Sequence, residues 1–419
     1  MKDRNKMEKH YSLSSAAELL GVTNQTLRNW DNAGKINMIR TPGNQRRVPE
    51  SEILRLCSST SVNAREIWRK PKRSTDERDH ISDEINNISD TDVKNPEFYE
   101  KTNDTAPPVI IKNEDHYILM CKDDAVYDIE KNLILNEKTI PGCLLKKTMS
   151  FDQWMVTRYS KETNFSSQRL MQRAFGSYDH NRAAYITGAF SLSDCYWIKR
   201  KDDEVSFFDI TPYANREWDG AENDGIRNDY IWGSLSNLFV NGKTDKYWQD
   251  AETLLKINSF REHEAFLLCG ALGLDNTAEV FVAERGLFLN NFTSPNLFFE
   301  SIEQYGFNQN EEDPREIITE RYKEHAAALF TIDYLTENTD RHSDDFGFLR
   351  CSSTGEYLLP APFFNFDWIW TGDVITLPDI IRNEYFGYVQ DLCKKAISVA
   401  DDFEHGIIID NRANELLRL

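Results

Sequence analysis

The stretch YLTENTDRHSDDFGFLRCSSTGEYLLPAPFFNFDWIW, residues 334–370, decides the interpretation of this 419-residue chain. It holds two clusters of carboxylates and amides, which are separated by an apolar stretch with Ser-Thr-Gly at its middle. Apolar runs on either side of a turn signal predict a β-hairpin. Because a hairpin returns the chain to the end at which it started, we expect the two polar clusters to meet.

The two clusters contain the residue types that phosphoryl transfer requires. That reaction needs a carboxylate to orient the attacking hydroxyl and oxygen ligands to hold Mg²⁺ against the nucleotide phosphates. The candidates are Asp340, His342 and Asp345 in the first cluster, and Asn365 and Asp367 in the second. We expect His342 to orient the loop and not to carry a proton. The order of catalytic loop, hairpin and metal loop indicates a kinase.

The same residues resemble the HipA-like serine/threonine kinases. NTDRHSDDFGFL is similar to the catalytic loop of that family, and LPAPFFNFD is similar to its metal-binding segment. The resemblance spans roughly 115–415 and includes the shorter stretches FDQWMVTR, SLSDCYWIK, WGSLSNLFVNGKTDKYW and LLKI. It implies Asp340 as general base or orienting carboxylate, ATP and Mg²⁺ (or Mn²⁺) as cofactors, and an α+β fold of two lobes, the second mostly helical.

Further roles follow from the resemblance by position. Lys256, at the end of the strand-like LLKI, would contact the nucleotide phosphates. Glu264, or else Glu262, on the next helix would pair with Lys256. Ser234 and Ser236 would lie over the phosphates, and one of them would be a site of autophosphorylation.

The metal-binding residues depart from the family pattern. The family usually has Asn where Asp345 stands and Asp where Asn365 stands, so the amide and the carboxylate are exchanged. Asp367 lies two residues after Asn365, and in an extended segment a step of two residues keeps the same face. Asp345 and Asp367 would then hold the metal together. Otherwise the site is inactive and the domain is a pseudokinase.

The first part of the chain predicts two short helices and a β-wing. In YSLSSAAELLGVTNQTLRNWDNAGKI, Ser15 and Glu18 fit a capping box, and Leu27 and Trp30 would face inward on the second helix. Pro42-Gly43-Asn44 is a turn signal between two short basic arms. The candidate DNA contacts are Asn24, Gln25, Arg28 and Asn29 on the helix, and Arg40, Arg46 and Arg47 on the wing.

This pattern resembles the MerR-like winged helix-turn-helix over about 47 residues, which implies DNA as a partner. The charge distribution agrees: residues 1–73 carry a net charge of +8 and the remainder carries −28, within a total of −20. A basic head on an acidic body is typical of a nucleic-acid-binding module. The alternative is a small helical protein-interaction module whose arginines are merely solvated.

Composition divides the chain into three parts. Residues 1–57 are the predicted DNA-binding domain, and 58–107 are too polar to offset their ordering entropy, which predicts a flexible linker. Residues 108–419 are the predicted kinase domain, with an N-lobe to about 275 and a C-lobe from about 276. The linker argues against rigid coupling of the two halves, although a homodimer could connect them.

The sequence also indicates where the protein acts. No apolar run approaches the roughly 18 residues needed to span a bilayer, and no signal peptide is recognisable. Seven scattered cysteines without a CxxC pair predict reduced, buried thiols. We therefore expect a cytoplasmic protein without a membrane partner.

Two functions stay open at this level. The first is a Ser/Thr protein kinase tethered to DNA, in a toxin–antitoxin or regulatory context, whose protein substrate the sequence leaves unknown. The second is a DNA-binding transcriptional regulator with a nucleotide-sensing pseudokinase domain. A third reading rests on YSKETNFSSQRLMQ, which loosely resembles a serine-recombinase nucleophile motif, and we set it aside because the motifs that should follow are missing.

Overall fold

The computed structural model describes residues 10–13, 16, 27–28, 31, 35–40, 46–49, 52, 116–176, 178–213, 233–373 and 375–419. The predicted linker, residues 58–107, lies outside these ranges. Within them the protein mixes helices with antiparallel sheets, which is the α+β class that the sequence predicts.

The N-terminal segment forms a small three-stranded sheet. Its strands are β1 (His10–Ser12), β2 (Ile39–Arg40) and β3 (Arg46–Pro49), in the order β1-β3-β2 and antiparallel throughout. The pairing of β2 with β3 is the predicted wing. Leu27 is helical and fully buried, as predicted for the inner face of the second helix.

A four-stranded sheet opens the large C-terminal part. Strands β4 (Tyr117–Cys121) and β5 (Asp124–Asp128) form a hairpin, and β6 (Leu133–Ile134) and β7 (Tyr196–Arg200) complete the order β6-β5-β4-β7. Five helices accompany this sheet: α1 (Gly142–Leu145), α2 (Phe151–Val156), α3 (Phe165–Phe175), α4 (His180–Thr187) and α5 (Phe207–Ile210).

The second sheet of this part carries Lys256. A 3₁₀ helix (Gly233–Phe239) leads into β8 (Lys246–Trp248) and β9 (Thr253–Ile257), which pair with each other. Helix α6 (Glu262–Ala271) follows, and then β10 (Val280–Ala283) and β11 (Gly286–Asn290) give the order β10-β11-β9-β8. Because β11 pairs with β9, the lobe that contains this sheet continues to Asn290. The lobe boundary predicted at 275/276 therefore cuts through the sheet and is wrong.

A third sheet and the remaining helices build the other lobe. Strand β12 (Leu297–Ser301) pairs with β13 (Gly347–Cys351), and β13 pairs with β14 (Tyr357–Pro360), which is the hairpin that the sequence predicts. The helices are α7 (Ile302–Tyr305), α8 (Pro314–Arg321), α9 (Lys323–Leu335), α10 (Asp379–Glu384), α11 (Phe386–Val399) and α12 (Gly406–Leu417).

Helix α9 supports the first polar cluster. Thirteen residues long, it is apolar on most sides and buried in the largest core of the protein. Such a pattern is typical of a helix surrounded by other elements. The chain leaves α9 at Thr336, and β13 begins at Gly347, so residues 336–346 form a short loop held at both ends.

The cysteines and the apolar helices bear on where the protein acts. Six cysteines lie within them, and all six are buried and unbridged, as the sequence predicts. No helix in the described part of the chain combines the length and the apolar character needed to cross a membrane.

Candidate active site

The two polar clusters meet at one cleft. A cavity of about 390 Å³ lies where the β8–β11 sheet faces the loop after α9, and all five predicted residues of the clusters line it. Lysines reach it from the sheet side and carboxylates from the loop side: Lys243, Lys246, Lys256, Asp340, Asp345 and Asp367. The cleft also has an apolar part, formed by Val240, Trp248, Leu254, Leu289, Phe292 and Phe364.

Lys256 is the hub of the polar end. Its Nζ, on strand β9, lies 2.5 Å from Oε1 of Glu262 and 2.6 Å from Oδ1 of Asp367, and it donates a 2.9 Å hydrogen bond to Oδ1 of Asn365. The side chain is only 2% exposed. A buried ammonium with three oxygen partners is fully compensated. Because these partners lie on different elements, Lys256 links strand β9, helix α6 and the second polar cluster.

The glutamate that pairs with Lys256 is Glu262, and the pairing predicted for Glu264 is wrong. Glu264 accepts hydrogen bonds from the backbone N–H of His405 (2.9 Å) and pairs with its Nδ1 (2.6 Å), on the far side of α6. Residues two apart on a helix project about 200° from each other, so only one of the two glutamates can face β9.

Glu262 and Asp367 form a coupled acidic pair beside Lys256. Burial raises the pKa of Glu262, the charge of Lys256 opposes this and the neighbouring Asp367 adds to it, and the net pKa is about 7. Burial would also raise the pKa of Asp367, but the charge of Lys256 and the hydrogen bond from Glu262 hold it below its usual value. Glu262 therefore retains a proton more readily than Asp367 and can donate it to the Asp367 carboxylate.

The backbone of the second cluster is not extended. The prediction that Asn365 and Asp367 lie on the same face of an extended segment is therefore wrong. Asn365 has a φ of 64°, in the left-handed region, and Phe366 is fully buried with its N–H donating 2.9 Å to Glu262 Oε2. The backbone turns at Asn365, and for that reason Asn365 and Asp367 both reach Lys256.

Asp345, in the first cluster, contacts the second cluster directly. Its Oδ1 accepts a 2.5 Å hydrogen bond from Nδ2 of Asn365, and its Oδ2 accepts one of 3.1 Å from the backbone N–H of His342. Burial raises the pKa of Asp345, and it raises that of the adjacent Asp344, which also lines the cleft, to about 6.

Asp340 is the more open carboxylate of the loop. Its side chain is 24% exposed, and its Oδ1 lies 2.7 Å from Nε2 of His342 and 3.2 Å from Nζ of Lys243. Lys243 belongs to the segment before β8, so it reaches across the cleft to the catalytic loop. His342 is thus in a position to orient Asp340.

Arg341, which no sequence pattern singled out, holds this loop in place. Its guanidinium makes a bidentate contact with Asp333 of α9, at 2.9 Å and 2.8 Å, and donates to the carbonyl oxygens of Phe364 (2.7 Å) and Asp345 (3.3 Å). Arg341 and Asp333 are almost fully buried. The arginine therefore joins the helix to both polar clusters.

Of the two serines predicted to cover the phosphates, Ser236 is not among the residues that line the cleft. Ser236 is 1% exposed inside the 3₁₀ helix, so it is packed in the interior of this lobe. The side chain of Ser234 lies outside the described residues. The cleft is lined instead by the next residues along the chain, 239–243, which the sequence analysis did not single out.

The acidic and amide side chains suit a magnesium ion by their chemistry. Asp345, Asn365 and Asp367 offer the oxygen donors that Mg²⁺ prefers, and they line one cleft. Among the described residues, the group of acidic and histidine side chains that lies close enough to share an ion is elsewhere: His116, Asp128 and Glu130. That group is already satisfied internally, since His116 Nε2 is 2.9 Å from Asp128 and 3.3 Å from Glu130.

The candidate DNA contacts are described in part. Arg28 and Arg40 are exposed, and Arg46 and Arg47 are half-buried on strand β3 of the wing. Arg46 Nε lies 2.7 Å from Oδ2 of Asp31, which joins the wing to the predicted recognition helix. Three candidates, Asn24, Gln25 and Asn29, fall outside the described residues.

Comparison with known proteins adds a family for the first part of the chain. Residues 12–48 match the model of the MerR family regulatory protein. The N-terminal segment is thus a MerR-like helix-turn-helix, and the match supports DNA binding by it. The match agrees with the resemblance derived from TLRNW and RTPGNQRR.

Comparison of the whole chain is less informative. No curated protein matches it. Among solved structures it is similar to a chain of the Shewanella oneidensis MR-1 toxin–antitoxin complex of HipA, HipB and operator DNA, at 13% identity with a TM-score of 0.41, covering 72% of this chain and 96% of that chain. A similarity at this level carries no conclusion about activity.

Proposed function

We propose that this protein is a DNA-binding serine/threonine kinase of the HipA-like type, which transfers phosphate from ATP to a protein hydroxyl. The observation that carries the proposal is the meeting of the two polar clusters at Lys256, whose Nζ contacts Glu262, Asn365 and Asp367 within one cleft. A lysine on a strand paired with a glutamate on the next helix is the arrangement that aligns nucleotide phosphates in kinases.

In this proposal the parts of ATP take a consistent order along the cleft. Its apolar part, with Trp248, Leu289 and Phe292, suits a nucleobase, because flat aromatic ligands bind best against apolar and aromatic side chains. Its polar part begins at Lys256 and extends to Asp340. The phosphate chain would therefore run from the sheet towards the catalytic loop.

In the proposed reaction Asp340 is the catalytic carboxylate. It accepts a hydrogen bond from the acceptor hydroxyl and takes its proton while the new oxygen–phosphorus bond forms. The bond between the γ-phosphorus and the β,γ-bridging oxygen breaks, and ADP leaves. His342, 2.7 Å from Asp340, holds the carboxylate in position. Arg341 keeps the loop rigid through Asp333.

Asp345 and Asp367, with Asn365 between them, are the residues that would hold Mg²⁺. The ion, when bound, neutralises charge on the phosphates. Glu262 can carry the proton of the acidic pair, which leaves Asp367 ionised and able to bind the cation.

A second candidate function is nucleotide sensing by a domain that does not transfer phosphate. It is favoured by the hydrogen bond of 2.5 Å between Asn365 and Asp345, because the amide that stands in the place of the family's carboxylate is engaged with a neighbouring ligand. In this alternative the chain is a DNA-binding transcriptional regulator, and nucleotide changes its affinity for DNA.

Transfer of labelled phosphate from ATP separates the two candidates. The full chain is incubated with Mg²⁺ or Mn²⁺ and a protein acceptor, beginning with the chain itself. Asp340→Ala should lower the rate by about 10²–10⁴, the usual contribution of a general base. Asp340→Asn, which keeps the shape of the side chain, should lose a similar factor while ATP binding remains. ATP binding without transfer, with either metal, favours the sensing candidate.

The N-terminal segment gives the proposal its DNA partner, in a toxin–antitoxin or regulatory context. Arg28, Arg40, Arg46 and Arg47 are the described candidates for contacts with phosphates and base edges. The acidic remainder of the chain would be repelled by DNA, so binding should depend on this segment alone.

A further inference from the structure

His405 lies on the far side of α6 from Lys256 and joins three elements of the protein. Its Nδ1 lies 2.6 Å from Oε2 of Glu264, and its backbone N–H donates a 2.9 Å hydrogen bond to Oε1 of the same carboxylate. A carboxylate oxygen accepts, so Nδ1 carries the hydrogen of this contact. The imidazole stacks on the indole of Trp370, with ring centroids 4.4 Å apart and an angle of 6° between the planes. Helix α12 begins at the next residue, so α6, α12 and the segment after Asp367 meet at one imidazole.

Both oxygens of Glu264 are engaged by His405, which fixes the direction of the contact as well as its length. The side chains of His405 and Glu264 are 29% and 14% exposed. Partial burial strengthens a hydrogen bond to a charged group, because little water competes for the carboxylate. The outer side of α6 is therefore attached to the start of α12.

Helix α6 is held at two points on opposite sides. Glu262 faces β9 and lies 2.5 Å from Nζ of Lys256, whereas Glu264 faces the start of α12. Because the two glutamates project about 200° apart, a helix held by both cannot turn about its axis without breaking one contact. In kinases the lysine–glutamate pair has to be in place for phosphoryl transfer, and the position of this helix controls it.

Trp370, the second partner of the imidazole, lies three residues after Asp367. Its φ is 59°, in the left-handed region that bulky residues rarely adopt, and its N–H donates 2.8 Å to the carbonyl oxygen of Thr336. Such a conformation persists where the surroundings hold it. Nε1 of the indole is buried and, among the described residues, has no hydrogen-bond partner. Packing therefore holds the ring, and His405 provides the stacked face.

Helix α12 gives these contacts a firm base. It packs against α9 and α11 in the largest core of the protein. Its Arg412 donates hydrogen bonds of 2.9 Å and 2.6 Å to Oε1 of Glu337 and one of 3.1 Å to the carbonyl oxygen of Gly372. Glu337 lies in the loop that carries Asp340, so α12 contacts the chain beside both polar clusters.

We infer that His405 is a positioning residue of the proposed reaction, which fixes α6 and the segment after Asp367 against α12 so that Glu262 and Asp367 keep their places beside Lys256. The inference rests on the proposed function, because it names a further residue on which that reaction depends. His405 is not among the residues that line the cleft, so it acts through its neighbours and not on the nucleotide.

The first measurement separates the rate of transfer from the affinity for ATP. His405→Ala should transfer phosphate about 10-fold or more slowly, because a misplacement of about 1 Å can cost as much as 100-fold in rate. ATP affinity, measured by calorimetry, should stay within about twofold, since Lys256 keeps its three oxygen partners.

Two further variants divide the contacts of the imidazole. His405→Asn keeps a donor close to the place of Nδ1 and should recover part of the rate, whereas His405→Phe keeps only the stacked face. The double variant Glu264→Ala, His405→Ala should be no slower than the slower single variant, because both changes break one contact. Glu404→Ala, at the exposed neighbour of His405, is the matched control and should transfer at the natural rate.

The second measurement needs no transfer. Hydrogen–deuterium exchange of the full chain without nucleotide follows the N–H groups of Phe366 and Trp370, which are bonded to Glu262 and Thr336. In His405→Ala the peptide that covers 366–372 should exchange about 10-fold faster, because its local opening is easier. Strands β4 and β5 should exchange as in the natural chain, and so should the whole Glu404→Ala variant.

Three results would overturn the inference: natural exchange of 366–372 in His405→Ala, a loss of ATP affinity as large as the loss of rate, or faster exchange throughout the chain. If His405→Ala does not fold, His405→Asn and His405→Phe decide, and equal rates and equal exchange in these two and the natural chain contradict the inference. If the natural chain transfers no phosphate but 366–372 loosens in His405→Ala, the kinase proposal fails and the positioning contact stands. If His405→Ala transfers at the natural rate, the inference fails and the kinase proposal stands.

Discussion

Nζ of Lys256 lies 2.5 Å from Oε1 of Glu262, and both side chains are almost completely buried. The second oxygen of Glu262 accepts the N–H of Phe366, so a single carboxyl group joins strand β9, helix α6 and the second polar cluster. Breaking a buried pair on one side leaves an uncompensated charge. The consequences of this contact can be measured in stability, in pH dependence and in nucleotide binding.

The pH dependence of stability should report Glu262. Its pKa is raised from 4.5 to about 7 in the folded protein, so between these values the folded state keeps a proton that the unfolded state has lost. The free energy of unfolding should therefore fall as the pH rises through this window. The lowered pKa of Asp367 makes the free energy of unfolding rise with pH, but only below about pH 3.8, its ordinary pKa.

Glu262→Gln tests this dependence, because glutamine can still donate to Asp367 but cannot ionise. Relative to the variant, the natural chain should lose roughly 2 kcal/mol of stability between pH 4.5 and 7. Urea unfolding followed by tryptophan fluorescence at several pH values measures this difference. Glu384→Gln, which alters an exposed ion pair with Lys323, should retain the slope of the natural chain. Equal slopes in the Glu262 variant and the natural chain contradict the prediction.

The two glutamates of α6 should differ in their effect on nucleotide binding. Glu262→Ala leaves Lys256 with fewer partners and should weaken ATP binding by about 10-fold or more, as expected when a charged hydrogen bond is lost. Glu264→Ala removes only the contact with His405 and should leave ATP affinity unchanged. Calorimetric titration of both variants compares them directly. If Glu264→Ala weakened ATP binding more than Glu262→Ala, the assignment of the pair would be reversed.

Removal of Arg341 should destabilise the catalytic loop. Arg341→Met leaves the carboxylate of Asp333 buried without its charged partner, with Nδ2 of Asn338 still donating to it at 2.7 Å. We expect a cost of about 3–5 kcal/mol, and phosphate transfer should be lost with it. The measurement is urea unfolding together with the transfer assay. The double variant Arg341→Met, Asp333→Leu removes both charges and should recover a large part of the stability but not the activity. A double variant no more stable than the single one would argue against this account.

The DNA-binding segment should be separable from the rest of the chain. Arg28→Ala should weaken DNA binding by about 1–3 kcal/mol if the exposed guanidinium reaches a base edge. Arg46→Ala should lower the slope of log affinity against log salt by about one, because a wing arginine contacts phosphate. Gel-shift titrations at several salt concentrations measure both effects. Unchanged affinity in both variants, with ATP binding intact, would defeat the prediction.

The local sequence pattern was sufficient to predict the elements that form between neighbouring parts of the chain. The hairpins β4–β5 and β13–β14 follow from alternating apolar residues and turn signals, and the wing follows from Pro42-Gly43-Asn44. The meeting of Asp345 with Asn365 is a direct consequence of the second hairpin. For the same reason the meeting of the two polar clusters was predicted from a single stretch of 37 residues.

The sequence by itself determined which residue types reach the cleft, because hairpin topology is encoded locally. The tertiary structure alone decided which partner each one takes. The rotation of α6 selected Glu262 over Glu264, and the left-handed Asn365 turned the metal segment. The pairing of Arg341 with Asp333 depends on packing between distant elements. Such choices depend on the depth and direction of side chains, which periodicity along the chain does not specify.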